Sequence, residues 1–389
     1  MRPEKSRGWH AMYSSVLGGI VLDPKLFVLP IDDHMAHRGH AVFDTCNVAA
    51  GKAYGLDFHL DRLLRSAEIA RVPHQYSKEQ LRKIVLRTIA ASDRRDGVFV
   101  RYWLSAGRGD FSVTPADCTA ATFYVIVHDY LEKALDGVGE VVVGVPLKPP
   151  LLATIKSTNY LLNALTAMEA QDRGGTLGIQ ADPDGFVTEG SIGNIAIVDE
   201  NGVLRTRPFD VILAGTTIKR ALVLAPRLLQ TGMLEGFEIA PFTVEEMERA
   251  CEVICLGGGG LQPILSVNGK PVGDGKVGPV TTALHDLLLK DMATEYLDEI
   301  PYSKYEKARR VLVRELEAQR GPFGNGNSVN SKGSGGDGDS GSGGGSGGGG
   351  ARNGNRRPAK SLAGVSTAGL LAAATVAVIT AWIGLRQSR

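Results

Sequence analysis

The stretch Ala153–Ala170, ATIKSTNYLLNALTAMEA, decides how the rest of the chain is read. A β-like run ends at Lys156, and the apolar spacing predicts a helix over Ser157–Gln171. A lone lysine at a helix start is ordinarily a solvated residue, so Lys156 acquires meaning only from its companions.

Asp184–Val198 reads DGFVTEGSIGNIAIV. Here Gly185–Val187 predicts a short strand leading to Glu189, Gly190 and Ser191 a turn, and Asn194 the start of a second apolar run. A carboxylate in so apolar a setting is costly unless a cation pairs with it, and a protonated pyridine nitrogen is one such cation. Phe209–Ala225, FDVILAGTTIKRALVLA, predicts an apolar strand ending at Ala214-Gly215 and a helix opened by Thr216 and Thr217. Threonines at a helix N-terminus form a phosphate cup or serve as ordinary caps.

Two further segments fit the same chemistry. In Leu56–Ala70, LDFHLDRLLRSAEIA, the residues His59, Arg62 and Ser66 share helical spacing with Leu56, Leu60, Leu63 and Leu64. The Arg62 guanidinium suits a phosphate through paired hydrogen bonds, although a plain amphipathic helix carries such charges too. In Cys255–Ile264, CLGGGGLQPI, four glycines from Gly257 to Gly260 leave backbone N–H groups available for an anion, or form a loop without a ligand.

In this order the five segments resemble the class IV (fold-type IV) aminotransferases, which depend on pyridoxal 5'-phosphate (PLP). That family includes D-amino-acid aminotransferase, branched-chain aminotransferase and aminodeoxychorismate lyase. The resemblance runs from about Met12 to Tyr296 and rests on K-S-x-N at Lys156, V-T-E-G-S-x-x-N at Glu189 and H-L-x-R-L-x-x-S at His59–Ser66. DDHMAHRGHAVFDT (Asp32–Thr45) is similar to the family's N-terminal strand, and GKPVGDGKVGPVTTAL (Gly269–Leu284) to its closing hairpin and helix.

The resemblance implies a two-lobed α+β fold. Residues 1–134 would form a small α/β lobe and 135–320 a larger PLP-binding lobe, with the break at Glu132–Gly137. Lys156 would be the Schiff-base lysine, and Glu189 the partner of the pyridine nitrogen. Arg62, Thr216 and Thr217 would hold the phosphate, with Gly258 where the family places a threonine or serine. Phe43 would lie near the substrate. Arg108 is the leading candidate for a substrate carboxylate, with Trp103 and His40 behind it. The reaction implied is transfer of an amino group from a D- or branched-chain amino acid to a 2-oxo acid. Aminodeoxychorismate lyase activity and a non-catalytic, membrane-tethered homologue are the alternatives. Homodimerisation is a further implication of the family.

Composition sets outer limits. The 389 residues hold 43 basic and 42 acidic side chains, a net charge of +1, which offers no electrostatic footprint for nucleic acid. The four cysteines, Cys46, Cys118, Cys251 and Cys255, lack the density of a disulfide framework, and no metal site is expected of them. MRPEKSRGWHAMYSSVLGG at the N-terminus has no apolar core, so a secretory signal is not expected.

The C-terminal part reads differently. Residues 321–361 are Gly/Ser-rich and predict a disordered linker. Leu362–Leu385, LAGVSTAGLLAAATVAVITAWIGL, carries no charge and is long enough for a transmembrane helix. Arg352, Arg356, Arg357 and Lys360 precede it, whereas only Arg386 and Arg389 come after it. That bias predicts a tail anchor with the catalytic part facing the cytosol.

Overall fold

The computed structural model describes residues 8–109, 111–130 and 135–306. Both the linker and the anchor expected of 321–385 lie outside the described residues, as do 131–134 at the expected lobe boundary.

In chain order the first strands are β1 (Trp9–Ser14), β2 (Gly19–Val21), β3 (Ala41–Ala49), β4 (Lys52–Tyr54), β5 (Val98–Ser105) and β6 (Thr122–Asp129). The later ones are β7 (Val138–Glu140), β8 (Val142–Val143), β9 (Ile179–Ala181), β10 (Val187–Gly190), β11 (Asn194–Val198), β12 (Val203–Thr206), β13 (Gly236–Ile239), β14 (Glu252–Gly257), β15 (Gly260–Val267), β16 (Lys270–Pro271) and β17 (Leu297–Glu299). The helices are α1 (His34–Arg38), α2 (Leu56–Ile69), α3 (Lys78–Ser92), α4 (Pro150–Ala153), α5 (Leu161–Asp172), α6 (Thr216–Gln230), α7 (Val244–Arg249) and α8 (Pro279–Thr294).

Two sheets organise them. One runs β17-β4-β3-β5-β6-β1-β2, with every neighbouring pair antiparallel. Its Val42, Cys46, Val48, Val100 and Leu104 pack against Leu56, Leu60, Leu63 and Ala67 of α2. Each fully buried leucine of that stripe contributes about 1.5–3 kcal/mol relative to exposure. The other sheet runs β16-β15-β14-β11-β10-β9-β8. Against it lie α6 and α8, whose Ile218, Ala221, Leu224 and Leu284 meet Ala196, Ile254 and Leu256.

Several expected elements shift, each for a physical reason. The helix after Lys156 begins at Leu161, not Ser157. Phe43 N–H donates to Lys156 O at 2.9 Å and Thr158 N–H to Ala41 O at 2.9 Å, so 156–158 are taken up as an added edge of β3. Glu140–Pro146, which its valines predict as one β-rich run, divides into the ends of β7 and β8, because β7 pairs with β15 while β8 pairs with β9. Phe209–Ala214 is not a strand; the carbonyls at its end turn toward Asn194 and Arg62 instead of a ladder.

Candidate active site

Alternation along β3 sorts the site into two faces. Val42, Asp44, Cys46 and Val48 turn toward α2, whereas Phe43, Thr45 and Asn47 turn the other way, opposite Trp103, Arg101 and Phe99 of β5. Asp44 is therefore fully buried beneath α2. Its Oδ2 accepts from Arg62 Nε at 2.8 Å, and its Oδ1 accepts from Arg62 Nη2 at 2.7 Å and lies 2.9 Å from His59 Nδ1. Burial alone would push the Asp44 carboxyl up, but Arg62 and His59 more than reverse this and hold it well below the usual carboxylate range.

Lys156 sits opposite Phe43 at the sheet edge, so their side chains share a face. Its backbone N–H donates to Ser66 Oγ at 3.2 Å. Its Nζ lies 4.9 Å from the centre of the Phe43 ring and donates to the Tyr160 hydroxyl at 3.1 Å. Tyr160 in turn meets Phe43 edge-on, with ring centres 5.1 Å apart. Burial brings the Lys156 amine down to about 8, and the charge of Arg62 adds to the shift. An amine so tuned keeps a neutral, nucleophilic fraction near neutral pH.

Glu189, on β10, pairs across the ladder with Asn194, the first residue of β11. Burial pushes its carboxyl up to about 7, with the charge of Lys148 and the Leu213 N–H acting against that. No Lys, Arg or His among the described residues comes within ion-pair distance of it. The 213–215 backbone ties the parts together. Leu213 O accepts from Asn194 Nδ2 at 2.9 Å, and Ala214 O lies 3.5 Å from Arg62 Nη1. Gly215 then caps α6 without a side chain; a Cβ there would collide with Asn194 Oδ1. The first N–H groups of α6, at Thr216 and Thr217, are thus left open beside the Arg62 guanidinium.

The glycine run forms a two-residue hairpin turn between β14 and β15. Gly258 (φ +65°) and Gly259 (φ +82°) both occupy the left-handed region, as a type I′ turn requires. Gly259 N–H donates to Thr217 Oγ1 at 3.1 Å, and Gly258 O accepts from Asn47 Nδ2 at 3.4 Å. The run is a turn locked onto α6 and β3, with one of its amides already spent.

The structure therefore brings Lys156, Phe43, Glu189, Arg62, Thr216, Thr217 and Gly258 into one neighbourhood. It disposes of two substrate candidates differently. Arg108 is exposed and paired with Asp32, its Nε 3.0 Å from Oδ1. His40 has both ring nitrogens engaged, Nδ1 with His34 at 3.1 Å and Nε2 with Ala70 O at 2.8 Å. Trp103 stays on the Phe43 face, directly opposite that ring.

Three residues escaped the sequence reading of the site: Asp44, Tyr160 and Arg101. Arg101 Nε donates to Thr45 Oγ1 at 3.0 Å, and its guanidinium lies 5.6 Å from the Phe43 ring centre. No carboxylate among the described residues pairs with it, and burial lowers its pKa. A period-two count along β3 and β5 holds the missing signal. It puts Asp44 among inward apolar residues and Arg101 on the Phe43 face.

A cofactor with an aldehyde, a basic ring nitrogen and a phosphate dianion can be tested against these groups. The chain offers a half-buried amine of lowered basicity, a carboxyl group with no ion-pair partner among the described residues, and a helix N-terminus beside an anchored arginine. A buried hydroxyl, Ser191 Oγ, stands in the turn after Glu189 without a hydrogen-bond partner among the described residues. The donor set fits PLP.

A lysine amine, an acid and an open helix N-terminus held across two sheets are the groups that a vitamin B6 enzyme needs. Residues 41–267 match the amino-transferase class IV family, and the chain belongs to it. It is a PLP-dependent aminotransferase of that class, with the fold-type IV architecture. Over 286 residues it is 45% identical to the chloroplastic D-amino-acid transaminase of Arabidopsis thaliana, covering 72% of this chain and 76% of that one. Over 288 residues it is 30% identical to a putative branched-chain-amino-acid aminotransferase of Methanocaldococcus jannaschii, covering 72% and 96%. Among solved structures, the branched-chain amino acid aminotransferase of Escherichia coli superposes with a TM-score of 0.67 at 23% identity, covering 75% of this chain and 99% of that one. The Thermoproteus uzoniensis branched-chain aminotransferase gives a TM-score of 0.67 at 24% identity, covering 75% and 100%.

Proposed function

We propose that this chain transfers the amino group of a D-amino acid to a 2-oxo acid, with Lys156 as the lysine that takes the cofactor's aldehyde. The observation that carries the reading is the Lys156 amine held at Tyr160, with a buried Glu189 that has no ion-pair partner among the described residues. The preference for a D-amino acid rests on the 45% identity to the Arabidopsis D-amino-acid transaminase, against 30% to the branched-chain relative.

When bound, PLP supplies an aldehyde that condenses with amines and a pyridinium ring that withdraws electrons from the amino acid Cα–H bond. Glu189 would pair with the ring nitrogen and keep it protonated. Arg62 and the first N–H groups of α6 take the phosphate, while Asp44 fixes the arginine's direction. Lys156 would serve as the general base and acid for the proton at the amino acid Cα. Arg101 receives the substrate carboxylate, replacing Arg108 in that role, and Phe43 and Trp103 line the same face.

The second half of the proposal concerns assembly and place. Leu161, Leu165 and Met168 form an exposed apolar stripe along α5, which fits burial against a second copy in a homodimer. Light scattering that returns the mass of a single chain removes this. The uncharged Leu362–Leu385 anchors the protein in a membrane with the catalytic part in the cytosol.

A donor screen tests the reaction. D-alanine and leucine are each offered with 2-oxoglutarate, aminodeoxychorismate is offered alone, and borohydride-treated holoenzyme is mapped for the labelled lysine. The expected result is turnover with D-alanine and label on Lys156. Pyruvate released from aminodeoxychorismate without transamination would favour the lyase reading. A protein that ignores PLP would favour a non-catalytic homologue.

A further inference from the structure

A second lysine faces the same tyrosine. Lys148 lies in the segment between β8 and α4, half-buried, immediately before Pro149 and Pro150. A residue preceding proline is confined to extended backbone, and the fixed φ of two prolines stiffens the entry into α4. The Lys148 Nζ stands 4.7 Å from the centre of the Tyr160 ring. Lys156 Nζ is 5.8 Å from that centre and bonded to the hydroxyl of the same ring at 3.1 Å. The Phe43 ring meets Tyr160 edge-on at 5.1 Å. Tyr160 is thus contacted by two ammonium groups and an aromatic edge, and Lys148 has no carboxylate within ion-pair distance among the described residues. Burial disfavours such a cation, and the Tyr160 ring and the more distant Glu189 charge offset part of that cost.

Resting on Lys156 as the reactive amine, we propose that Lys148 is a positioning residue. Its ammonium, held on the Tyr160 ring, fixes the phenol against Lys156 and makes that phenol a poorer acceptor for a charged Lys156. A cation over an aromatic face draws on its electrons and anchors its orientation. A weaker acceptor, with another positive charge nearby, favours the neutral form of Lys156. The charged groups that act on Lys156 directly are Arg62 of α2, Asp44 of β3, Glu189 of β10 and Arg101 of β5, and Lys148 adds to them through its place on the Tyr160 ring. Burial lowers the basicity of Lys148 itself, in keeping with its enclosure.

The test uses the full chain freed of PLP. Lys156 is labelled with an amine-reactive acylating reagent across a pH series, and the modified peptide is quantified by mass spectrometry. In Lys148→Met the midpoint of labelling should move upward by about half a unit or more, while Lys148→Arg should keep the wild-type midpoint. In a Tyr160→Phe background, Lys148→Met should produce less than half of that shift. An unchanged midpoint in Lys148→Met, no rescue by arginine, or an equal shift without the phenol each overturns the proposal. Borohydride mapping of the PLP-loaded protein reports separately on Lys156, so failure of the underlying reading is recognised apart from failure of this one.

Discussion

Arg62 grips Asp44 with two of its nitrogens, Nε at 2.8 Å and Nη2 at 2.7 Å, leaving Nη1 directed toward the Ala214 carbonyl, two residues before α6. The acid is buried under a helix, and the arginine passes its remaining donor to the place where a phosphate would sit. If the phosphate binds at the α6 N-terminus, as proposed, Asp44 of β3 acts on it through Arg62.

Removing the acid should therefore weaken both the fold and the cradle. Asp44→Asn leaves a buried guanidinium without its counter-charge, a loss of about 3 kcal/mol or more. Thermal unfolding should fall by several degrees, and the Kd for PLP should rise about tenfold or more. The pH dependence has a definite sign. Asp44 is held below its unfolded value, so its contribution is present above about pH 4 and disappears as pH falls through its depressed folded value. The variant should lose that acid-limb slope, and a wild-type-like acid limb would remove Asp44 from this role.

Glu189 has the opposite sign. Its folded value, about 7, lies above the ordinary glutamate value of about 4.3. In the PLP-free protein its contribution is full below about 4.3 and is lost as pH rises through about 7. Glu189→Gln should flatten that decline and make the PLP-free protein the more stable form at pH 8, while weakening PLP binding. Calorimetry of wild type and variant without cofactor measures the first effect, and a fluorescence titration with PLP the second. Equal stability of the two proteins at pH 8 contradicts the assignment.

Substrate recognition separates Arg101 from Arg108. Arg101→Lys keeps the charge but loses the planar fork, and should raise KM for the amino donor about tenfold with a smaller effect on kcat. Arg108→Ala breaks an exposed pair with Asp32 and should change KM by less than about twofold. Steady-state kinetics on both variants decides the matter, and the reverse ranking restores Arg108.

The tail gives a cellular prediction. The full chain should stay with membranes after an alkaline wash, and a chain ending at residue 320 should be released. Protease added to intact organelles should digest the catalytic part. Its protection would reverse the proposed orientation.

The motifs around Lys156, Glu189 and Arg62 were legible because each couples a charged residue to a local pattern: a strand end, a turn, a helical stripe. Such patterns depend on neighbours along the chain. Less legible was the helix start, placed at Ser157 by composition yet found at Leu161. Pairing with β3 captured the intervening residues, and no local propensity reports a strand contributed from more than a hundred residues away.

What the sequence determined alone was the family, the reactive lysine candidate and the acid expected to face a ring nitrogen, since chemistry of that kind restricts residue type. Tertiary structure decided which cations remain available. Arg108 and Arg101 lie seven positions apart on one segment, and the sequence reading chose Arg108 and passed over Arg101. Only the packed sheet spends Arg108 on Asp32 at the exposed end and turns Arg101 to the Phe43 face, because the partner of a charge is chosen by proximity in space.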